Sequence, residues 1–311
     1  MAVMSESTFL SSDGRTQLYY REYRPDGEAV GIVQIVHGVI EHIARYDEFA
    51  SFLAQNGYIV VGLDLLGHGR SISDAGSLGF FSESDGWNKV VQDIHTLYGA
   101  TTARYPGKPY YLFGHSMGSF LVRTYLIRFA SGMDGAVISG TGQVAPLLVS
   151  IEKDLSAAII RRHGATYKSK LLYDLVFGHY CDKLGSVRTR SDWLTRDAAV
   201  VDQYIADPLC GFIPAAELFY EMMGGIQFIS SQKNVNRMRR DLPVLFISGD
   251  CDPVGEQGKG VIRVYKSFLK AGLTDLTMKL YHGGRHEMLN ELNKAEVYQD
   301  VLSWLNGKTG R

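Results

Sequence analysis

Residues 114–118 have the sequence GHSMG, in which Ser116 stands between Gly114 and Gly118. This G-x-S-x-G spacing is typical of a nucleophilic serine on a sharp turn between a strand and a helix. The apolar residues 110–113 predict the strand that enters the turn, and residues 117–129 predict the helix that leaves it. Because a serine hydroxyl is a weak nucleophile, it needs such a raised position beside a base. We therefore expect Ser116 to be a catalytic nucleophile.

An acid is expected after a later strand, since this type of turn is followed along the chain by an acid and then a histidine. The predicted strand at residues 243–248 is followed by two candidates, Asp250 and Asp252. Asp250 is placed for a local turn hydrogen bond, whereas Asp252 precedes Pro253, which favours an extended backbone. Asp252 is the preferred acid, with Asp250 as the alternative.

The general base is expected after the predicted strand at residues 276–281, where His282 and His286 are the candidates. His282 comes directly at the strand end, which indicates a structural role. His286 follows two glycines on a loop that can reach over the serine. His286 is therefore the preferred base, with His282 as the alternative.

Two backbone N–H groups are candidates for binding the oxyanion that develops during attack by the serine. Met117 follows the nucleophile at the positive end of a predicted helix. Val39 follows Gly38 on the loop after an early predicted strand, and the glycine allows the backbone to turn inward. Hydrolysis by a serine, a histidine and an acid requires neither a metal ion nor an organic cofactor, so no cofactor is expected.

Strands alternate with helices in two parts of the chain, residues 1–142 and residues 237–311. This alternation predicts a mostly parallel sheet flanked by helices, the α/β class. Residues 143–236 contain helical patterns and no convincing strand. We therefore predict one α/β core domain, 1–142 with 237–311, interrupted by a helical insertion at 143–236.

Composition limits the other function classes. The 311 residues carry a net charge of −1 with no block of one sign, which argues against a nucleic-acid partner and against an anionic membrane held by bulk charge. The cysteines Cys181, Cys210 and Cys251 are odd in number and widely spaced, as suits a reducing compartment. No signal pattern and no apolar run of about 18 residues is present, so a cytoplasmic protein is expected.

Two further stretches resemble known motifs. Residues 37–46, HGVIEHIARY, are similar to an HGxGEHxxRY stretch, and residues 64–71, DLLGHGRS, to a DxxGHGxS stretch. With the GHSMG turn, they resemble the monoacylglycerol lipase and lysophospholipase branch of the α/β-hydrolases over nearly the whole chain. The resemblance implies an α/β-hydrolase fold with Asp252 as acid, His286 as base and the insertion as a cap over an acyl pocket.

The same resemblance implies a substrate-binding set at Gly38, Ile40, Glu41 and Arg45. Glu41 and Arg45 match a polar pair near the glycerol end of lipase substrates. A salt bridge that organises the loop is the alternative interpretation. Ile40 stands where the family usually has glycine, which predicts a narrower pocket beside the oxyanion hole, and Leu289 stands where some relatives have a second histidine.

Together these features predict a serine hydrolase that cleaves carboxylic esters through an acyl-enzyme, with monoacylglycerol- or lysophospholipid-type lipids as expected substrates. A neutral histidine base predicts loss of activity below about pH 6.5. No obligatory protein partner is expected, although the cap is predicted to contact membrane surfaces transiently.

The alternatives are a general carboxylesterase, an aminopeptidase that uses Glu217 and Glu221 to hold an amine, and a non-catalytic ligand receptor. A serine at position 116 disfavours a dehalogenase, which needs an aspartate there.

Overall fold

The computed structural model describes residues 3–129 and 131–310. Residues 1, 2, 130 and 311, which belong to the predicted core domain, lie outside the described residues. In the described part of the chain, eight strands form one sheet. They are β1 (Val3–Leu10), β2 (Gln17–Arg24), β3 (Gly31–Val36), β4 (Tyr58–Leu63), β5 (Tyr110–His115), β6 (Gly135–Ser139), β7 (Val244–Gly249) and β8 (Leu276–Tyr281).

The strand order across the sheet is β1-β2-β4-β3-β5-β6-β7-β8. The β1–β2 and β2–β4 pairs are antiparallel, and all pairs from β4 to β8 are parallel. The predicted mostly parallel sheet is thus confirmed. From β3 the chain crosses to β4 on one side of that strand, and it then crosses back to β5 on the other side. Ligands of open α/β sheets bind at such a reversal, at the carboxyl ends of the strands, and the loops after β3 and β5 begin there.

Ten α-helices accompany the sheet in the described residues. They are α1 (Asp47–Gln55), α2 (Gly86–Arg104), α3 (Met117–Arg128), α4 (Pro146–His163), α5 (Lys170–Phe177), α6 (Ala198–Ala206), α7 (Ala216–Ser230), α8 (Gln232–Val235), α9 (Lys259–Lys270) and α10 (Lys294–Thr309). The buried apolar residues divide into two clusters, one on each face of the sheet. Strands β3 to β7 contain long fully buried stretches because helices cover both faces.

Residues 143–236 contain α4 to α8 and contribute no strand to the sheet as described. Helix α4 packs along α7, and α7 packs against α3, the helix that follows the serine turn. Among the described helices, none is both long enough and apolar enough to cross a bilayer.

Sequence patterns did not predict β1. Its residues are exposed on both sides, so they show no alternation of apolar and polar side chains. Pairing with β2 along all eight residues gives this segment its strand conformation. The predicted strands at residues 110–113, 243–248 and 276–281 correspond to β5, β7 and β8, and their bounds agree within two residues.

Candidate active site

Ser116 occupies a strained turn between β5 and α3, with φ 52° and ψ −122°. Its N–H donates to the Ser139 carbonyl at 3.0 Å, which fixes the turn to the neighbouring strand β6. A Cβ atom at Gly118 would lie 2.0 Å from the Val36 carbonyl oxygen, and one at Gly114 would lie 2.6 Å from the Gly118 carbonyl oxygen. Only glycine fits at these two positions, because strand and helix backbones approach closely there.

His286 and Asp252 meet behind this turn in the interior of the protein. His286 Nδ1 lies 3.0 Å from Asp252 Oδ1, and the two residues are 1% and 0% exposed. The Val254 N–H also donates to Asp252 Oδ1 at 2.9 Å, and the Ser248 hydroxyl donates to Oδ2 at 3.0 Å. The carboxylate accepts three hydrogen bonds and therefore holds the imidazole in a fixed orientation, with the proton on Nδ1.

Burial and charge act in opposite directions on this pair. Burial alone would raise the pKa of Asp252, but the His286 charge and the three hydrogen bonds outweigh it and lower the pKa. Burial alone would lower the pKa of His286, but the Asp252 charge and hydrogen bond outweigh it and raise the pKa. His286 Nε2 is buried without a hydrogen-bond partner in the described residues. A nitrogen in this state is free to accept a proton from a hydroxyl group.

The alternative acid and base form a separate pair at the surface. His282 Nδ1 lies 3.0 Å from Asp250 Oδ2, and the His282 side chain is fully exposed. The Gly283 N–H donates to Asp250 Oδ1 at 2.7 Å. These contacts give Asp250 the role of a turn residue.

The loop after β3 is held by its own side chains. Glu41 Oε1 accepts hydrogen bonds from the Gly38 N–H at 2.6 Å and from the Tyr46 hydroxyl at 2.8 Å. His37 Nε2 accepts from the Leu65 N–H at 2.9 Å. Burial lowers the pKa of His37 to about 3, so this histidine stays neutral and is structural.

Arg45 lies behind the loop in a buried ionic cluster. Its guanidinium donates to Glu41 Oε2 at 2.8 Å and to both carboxylate oxygens of Glu287 at 2.5 and 2.6 Å. Burial would raise the pKa of Glu287, but the Arg45 charge outweighs it and lowers the pKa to about 2. The Arg45 guanidinium also stacks on the Tyr204 ring, with its Cζ atom 4.9 Å from the ring centroid. Its donors are used within the protein, as the salt-bridge interpretation of the Glu41–Arg45 pair requires.

The middle segment contacts both site loops. The Trp193 carbonyl accepts from the His286 N–H at 3.3 Å, and the Leu194 carbonyl accepts from the Glu287 N–H at 2.7 Å. On the other loop, His42 Nε2 lies 2.8 Å from Asp207 Oδ2.

Cys210 is close enough to His42 and Asp207 for the three to hold a metal ion. The hydrogen bond between His42 and Asp207 already accounts for the proximity of these two side chains.

A cavity of about 350 Å³ opens beside Ser116, within the usual size of a small-molecule site. Met117 and Val39 line it next to the serine. Its walls are mostly apolar side chains from α3, α4, α5 and α7, among them Phe120, Leu148, Leu175, Phe177, Met222 and Ile226. The charged groups on its described lining are the carboxylates of Glu152 and Glu256, and no lysine or arginine lies among those residues.

A second, small cavity of about 10 Å³ adjoins the first at Ser116. It contains three members of the predicted substrate-binding set, Gly38, Ile40 and Glu41, together with His286. Arg45 is not among the described residues of either cavity. The two cavities also share Val39 and Trp193. Ser116 therefore faces a wide apolar space on one side and a confined space containing His286 on the other.

Glu217 and Glu221, the predicted amine-binding pair, point elsewhere. Glu217 Oε2 accepts from the Phe81 N–H at 3.0 Å, and Glu221 Oε2 accepts from the Trp87 N–H at 3.0 Å. Neither is among the described residues of the cavities at Ser116. The predicted use of this pair to hold a substrate amine is wrong, because each carboxylate accepts a hydrogen bond from the backbone leading into the first turn of α2 and lies outside both cavities.

Sequence reasoning missed three residues that complete the site. Glu287 pairs with Arg45, Ser248 supports Asp252, and Trp193 covers His286 with ring centroids 5.0 Å apart. A charged residue directly after the predicted base was the available signal for Glu287. Ser248 and Trp193 have no such signal because their contacts are made only in three dimensions.

The chain is similar to known hydrolases in sequence and in structure. Residues 27–293 match the model of a family described as serine aminopeptidase, S33. The monoacylglycerol lipase of Mycolicibacterium smegmatis is 29% identical, with 97% of this chain and 96% of that protein covered. The monoglyceride lipase of Mus musculus is 28% identical, over 96% of this chain and 89% of the mouse protein. A thermostable carboxyl esterase from Bacillus coagulans, solved in complex with glycerol, superposes with a TM-score of 0.92 at 28% identity, covering 99% of this chain and 100% of the esterase.

Proposed function

The chain belongs to the serine aminopeptidase S33 family of α/β-hydrolases. From its similarity to two monoacylglycerol lipases, we propose that it is a serine ester hydrolase acting on monoacylglycerol-type lipids. One observation carries the proposal: Ser116 lies where the apolar cavity of about 350 Å³ meets the small cavity that contains His286. An apolar acyl chain fits the first space, and a base is available in the second.

The first half of the reaction forms the acyl-enzyme. Ser116 Oγ attacks the ester carbonyl carbon while His286 Nε2 takes the hydroxyl proton. Asp252, at 3.0 Å from Nδ1, stabilises the imidazolium that results. The N–H groups of Val39 and Met117 receive the negative charge on the carbonyl oxygen. The Met117 group is suited to this because it is the first N–H of α3 and has no partner within the helix.

Collapse of the resulting tetrahedral intermediate completes the acyl-enzyme, and hydrolysis then returns the enzyme to its starting state. The bond from the carbonyl carbon to the alcohol oxygen breaks, and His286 gives its proton to the leaving alcohol. Water then attacks the acyl carbon, His286 takes one of its protons, and Ser116 Oγ leaves and regains a proton as the free acid departs.

The lining of the large cavity favours an uncharged lipid. A lysophospholipid brings a phosphate group, which proteins usually bind with arginine or lysine. The charged residues of the described lining are instead Glu152 and Glu256. A monoacylglycerol carries no charge and meets no repulsion there, so we favour it over a lysophospholipid.

Residues 143–236 act in this proposal as the cap of the acyl cavity. Helices α4 and α5 contribute Leu148 and Leu175 to its wall and expose Leu147, Ile151 and Leu171 to solvent at 74%, 55% and 56%. An exposed apolar patch beside a lipid cavity suits transient contact with a membrane surface. A cytoplasmic location agrees with the three free cysteines.

A carboxylesterase acting on short or aromatic esters uses the same catalytic residues. The similarity to the Bacillus coagulans carboxyl esterase favours this second candidate. Preference for a long acyl chain separates the two functions.

An aminopeptidase is the third candidate, favoured by the Glu152 carboxylate on the wall of the large cavity, whereas Glu256 there is already paired with Arg263. Carboxylates in that position are able to bind a substrate amine. Hydrolysis of an aminoacyl arylamide tests for this function directly.

The test compares the purified protein with Ser116→Ala on four substrates: a long-chain monoacylglycerol, a lysophospholipid, a short nitrophenyl ester and an aminoacyl arylamide. Ser150→Ala is the matched control, because Ser150 lies on α4 and its hydroxyl bonds only to local helix and neighbouring side-chain groups. We expect the monoacylglycerol to give the highest kcat/KM, Ser150→Ala to retain activity and Ser116→Ala to lose it.

A fluorophosphonate probe gives an independent readout, since it labels an activated serine whatever the natural substrate. Labelling at Ser116 with activity on the short ester alone would establish the carboxylesterase. Labelling with preference for the arylamide would establish the aminopeptidase. Absence of both turnover and labelling would overturn the hydrolase proposal.

A further inference from the structure

The proposed base is in contact with a tryptophan from the cap. The rings of Trp193 and His286 have centroids 5.0 Å apart, with an angle of 40° between their planes. The His286 N–H also donates to the Trp193 carbonyl at 3.3 Å. Both residues are buried. The cap therefore holds the base by a ring contact and a backbone hydrogen bond, in addition to the hydrogen bond from Asp252.

Trp193 is itself fixed within the cap. Its ring centroid lies 4.7 Å from that of Tyr180, edge to face, and 6.4 Å from that of Phe177, with 27° between the planes. The carbonyl of the next residue, Leu194, accepts from the Glu287 N–H at 2.7 Å. Because the ring is packed and the backbone beside it is hydrogen-bonded, the indole has little freedom to move away from the base.

The proposed mechanism places a positive charge on His286 when it takes the serine proton. The face of an aromatic ring attracts a cation within about 6 Å of the ring centroid, and tryptophan does so most strongly. The separation of 5.0 Å is inside this range, and an angle of 40° is far from an edge-on contact, in which the positive ring edge would repel the charge. The indole is thus placed to stabilise the imidazolium.

Other titratable groups near His286 come from the loops after β7 and β3, from its own loop and from β5: Asp252, Glu41, Glu287 and His115. The first three carry negative charge, and Arg45 pairs with both glutamates. Burial lowers the pKa of His115, whose ring centroid is 4.6 Å from that of His286, to about 4, so it stays neutral near pH 7. A substitution of Trp193 leaves all these groups in place.

We propose that Trp193 is a positioning residue, through which the cap holds His286 for proton transfer and stabilises its charged form. The inference rests on the proposed hydrolase function, and it gives the cap a role in the chemical step besides that of a wall for the acyl chain. Since His286 moves a proton in both halves of the reaction, Trp193 contributes to kcat whatever the length of the acyl chain.

Two substitutions of similar size separate the aromatic ring from its bulk. Trp193→Phe keeps an aromatic face, whereas Trp193→Leu does not. We expect Trp193→Leu to lower kcat by about three- to thirtyfold, the range of a cation–π contact. Because the imidazolium loses a stabilising contact, the acid limb of kcat/KM is expected to move to lower pH by about half a unit or more. Trp193→Phe is expected to retain most of the kcat and the position of the limb.

Trp304→Leu is the matched control for the loss of an indole. Trp304 lies on α10 and contacts the Tyr111 ring, and its Nε1 has no hydrogen-bond partner in the part of the chain that the structure describes. This variant is expected to leave both kcat and the acid limb unchanged.

Trp193 also lines the large cavity, so a loss of acyl binding has to be distinguished from a loss of positioning. Nitrophenyl acetate and nitrophenyl decanoate make this distinction, because a two-carbon acyl group makes few contacts with the cavity wall. Trp193→Leu is expected to lower kcat by the same factor for both esters. Met222→Ala, which changes the large cavity and not the small one, is expected to act chiefly on KM for the decanoate.

Tryptophan fluorescence gives a measurement on the wild-type protein. A protonated imidazole quenches an indole that it contacts, and of the three tryptophans, Trp193 is the one with a histidine among its described ring contacts. The emission is expected to decrease as the pH falls, with the same midpoint as the acid limb of kcat/KM.

Three results would each overturn the role of Trp193. They are equal kcat and equal acid limbs in folded Trp193→Phe and Trp193→Leu proteins, a loss confined to the decanoate, and emission that does not change through the acid limb. Failure of the proposed hydrolase function is distinguishable from all three. In that case the wild-type protein cleaves neither ester and Ser116 is not labelled by a fluorophosphonate, and both proposals fall.

Discussion

Arg45 and Glu287, 242 positions apart in the sequence, form a buried two-point ion pair with distances of 2.5 and 2.6 Å. Glu287 directly follows the proposed base His286, and Arg45 also binds Glu41 on the loop of the proposed oxyanion donor Val39. The pair therefore joins the loop of the base to the loop of the oxyanion donor. The loop of the base and the loop of the oxyanion donor come from distant parts of the sequence, and the Arg45 guanidinium fixes their relative positions.

Replacing Arg45 is expected to destabilise the fold strongly. Arg45→Ala leaves Glu41 and Glu287 buried without their counter-ion, which costs about 3–5 kcal/mol when one member of a buried pair is removed. Arg188→Ala is the control, because the Arg188–Asp202 pair is exposed and such pairs contribute at most about 1 kcal/mol. Urea unfolding at neutral pH measures both. Equal destabilisation by the two variants would contradict a structural role for the Arg45 cluster.

Activity is expected to decline in acid at a pH above the ordinary range of histidine. The proposed mechanism requires neutral His286, and the Asp252 and Glu287 charges hold its pKa above the usual value of 6.5 despite burial. As the pH falls through this raised pKa, His286 becomes protonated and kcat/KM declines. The midpoint of the acid limb is therefore expected above 6.5, higher than the sequence predicts.

The variant Glu287→Gln tests the cause of this shift. It removes one of the negative charges near His286, so the acid limb is expected to move to lower pH. Glu296→Gln, an exposed change on α10, serves as control and is expected to leave the limb in place. A wild-type midpoint below 6.5 in a profile of kcat/KM against pH would show that burial, and not charge, dominates at His286.

Most of the proposed catalytic residues could be predicted because their positions follow from local patterns. Ser116, Asp252 and His286 lie on the segments that follow β5, β7 and β8, and parallel strands bring their carboxyl ends to one edge of the sheet. The choice of Asp252 over Asp250 rested on the following proline. The buried pair at 3.0 Å supports that choice.

Features that depend on tertiary packing could not be predicted in the same way. Strand β1 has no apolar alternation, and its conformation comes from pairing with β2. The spacing of Glu217 and Glu221 on one helix predicts an amine-binding pair. That spacing does not reveal which backbone N–H groups donate hydrogen bonds to the two carboxylates. The hydrogen bond from the Tyr204 hydroxyl to the Ile40 carbonyl, at 3.2 Å, joins residues 164 positions apart in the sequence.

Substituting Gly118 is expected to disrupt the serine turn. The added Cβ of Gly118→Ala would lie 2.0 Å from the Val36 carbonyl oxygen, a backbone atom that cannot move alone. We expect a loss of about 2 kcal/mol or more in the free energy of unfolding, typical of severe overpacking, and a lower kcat.

Gly99→Ala on α2 is the matched control, because its Cβ would have no neighbour within 4 Å. Alanine in a helix is favoured over glycine by about 1 kcal/mol, so this variant is expected to unfold at a higher urea concentration. A folded, fully active Gly118→Ala protein would contradict the close approach of β3 and α3.

Glu217 is expected to make the fold less stable as the pH rises. Burial raises its pKa to about 8 from the ordinary 4.5, although the Phe81 N–H donates to one of its oxygens. Between these values the folded protein holds a proton that the unfolded chain releases, so the free energy of unfolding declines with increasing pH. Its other oxygen, Oε1, is buried without a partner in the described residues, which makes ionisation costly.

Glu217→Gln removes this dependence, because the amide keeps the acceptor for Phe81 and cannot ionise. Its stability relative to wild type is expected to be higher at pH 8 than at pH 5, measured by urea unfolding at both values. Glu28→Gln, at an exposed side chain that pairs with Lys108, is the control and is expected to show the same difference from wild type at both pH values. If Glu217→Gln also shows no pH-dependent difference, Glu217 is ionised in the folded protein, and a counter-charge or water must stabilise it.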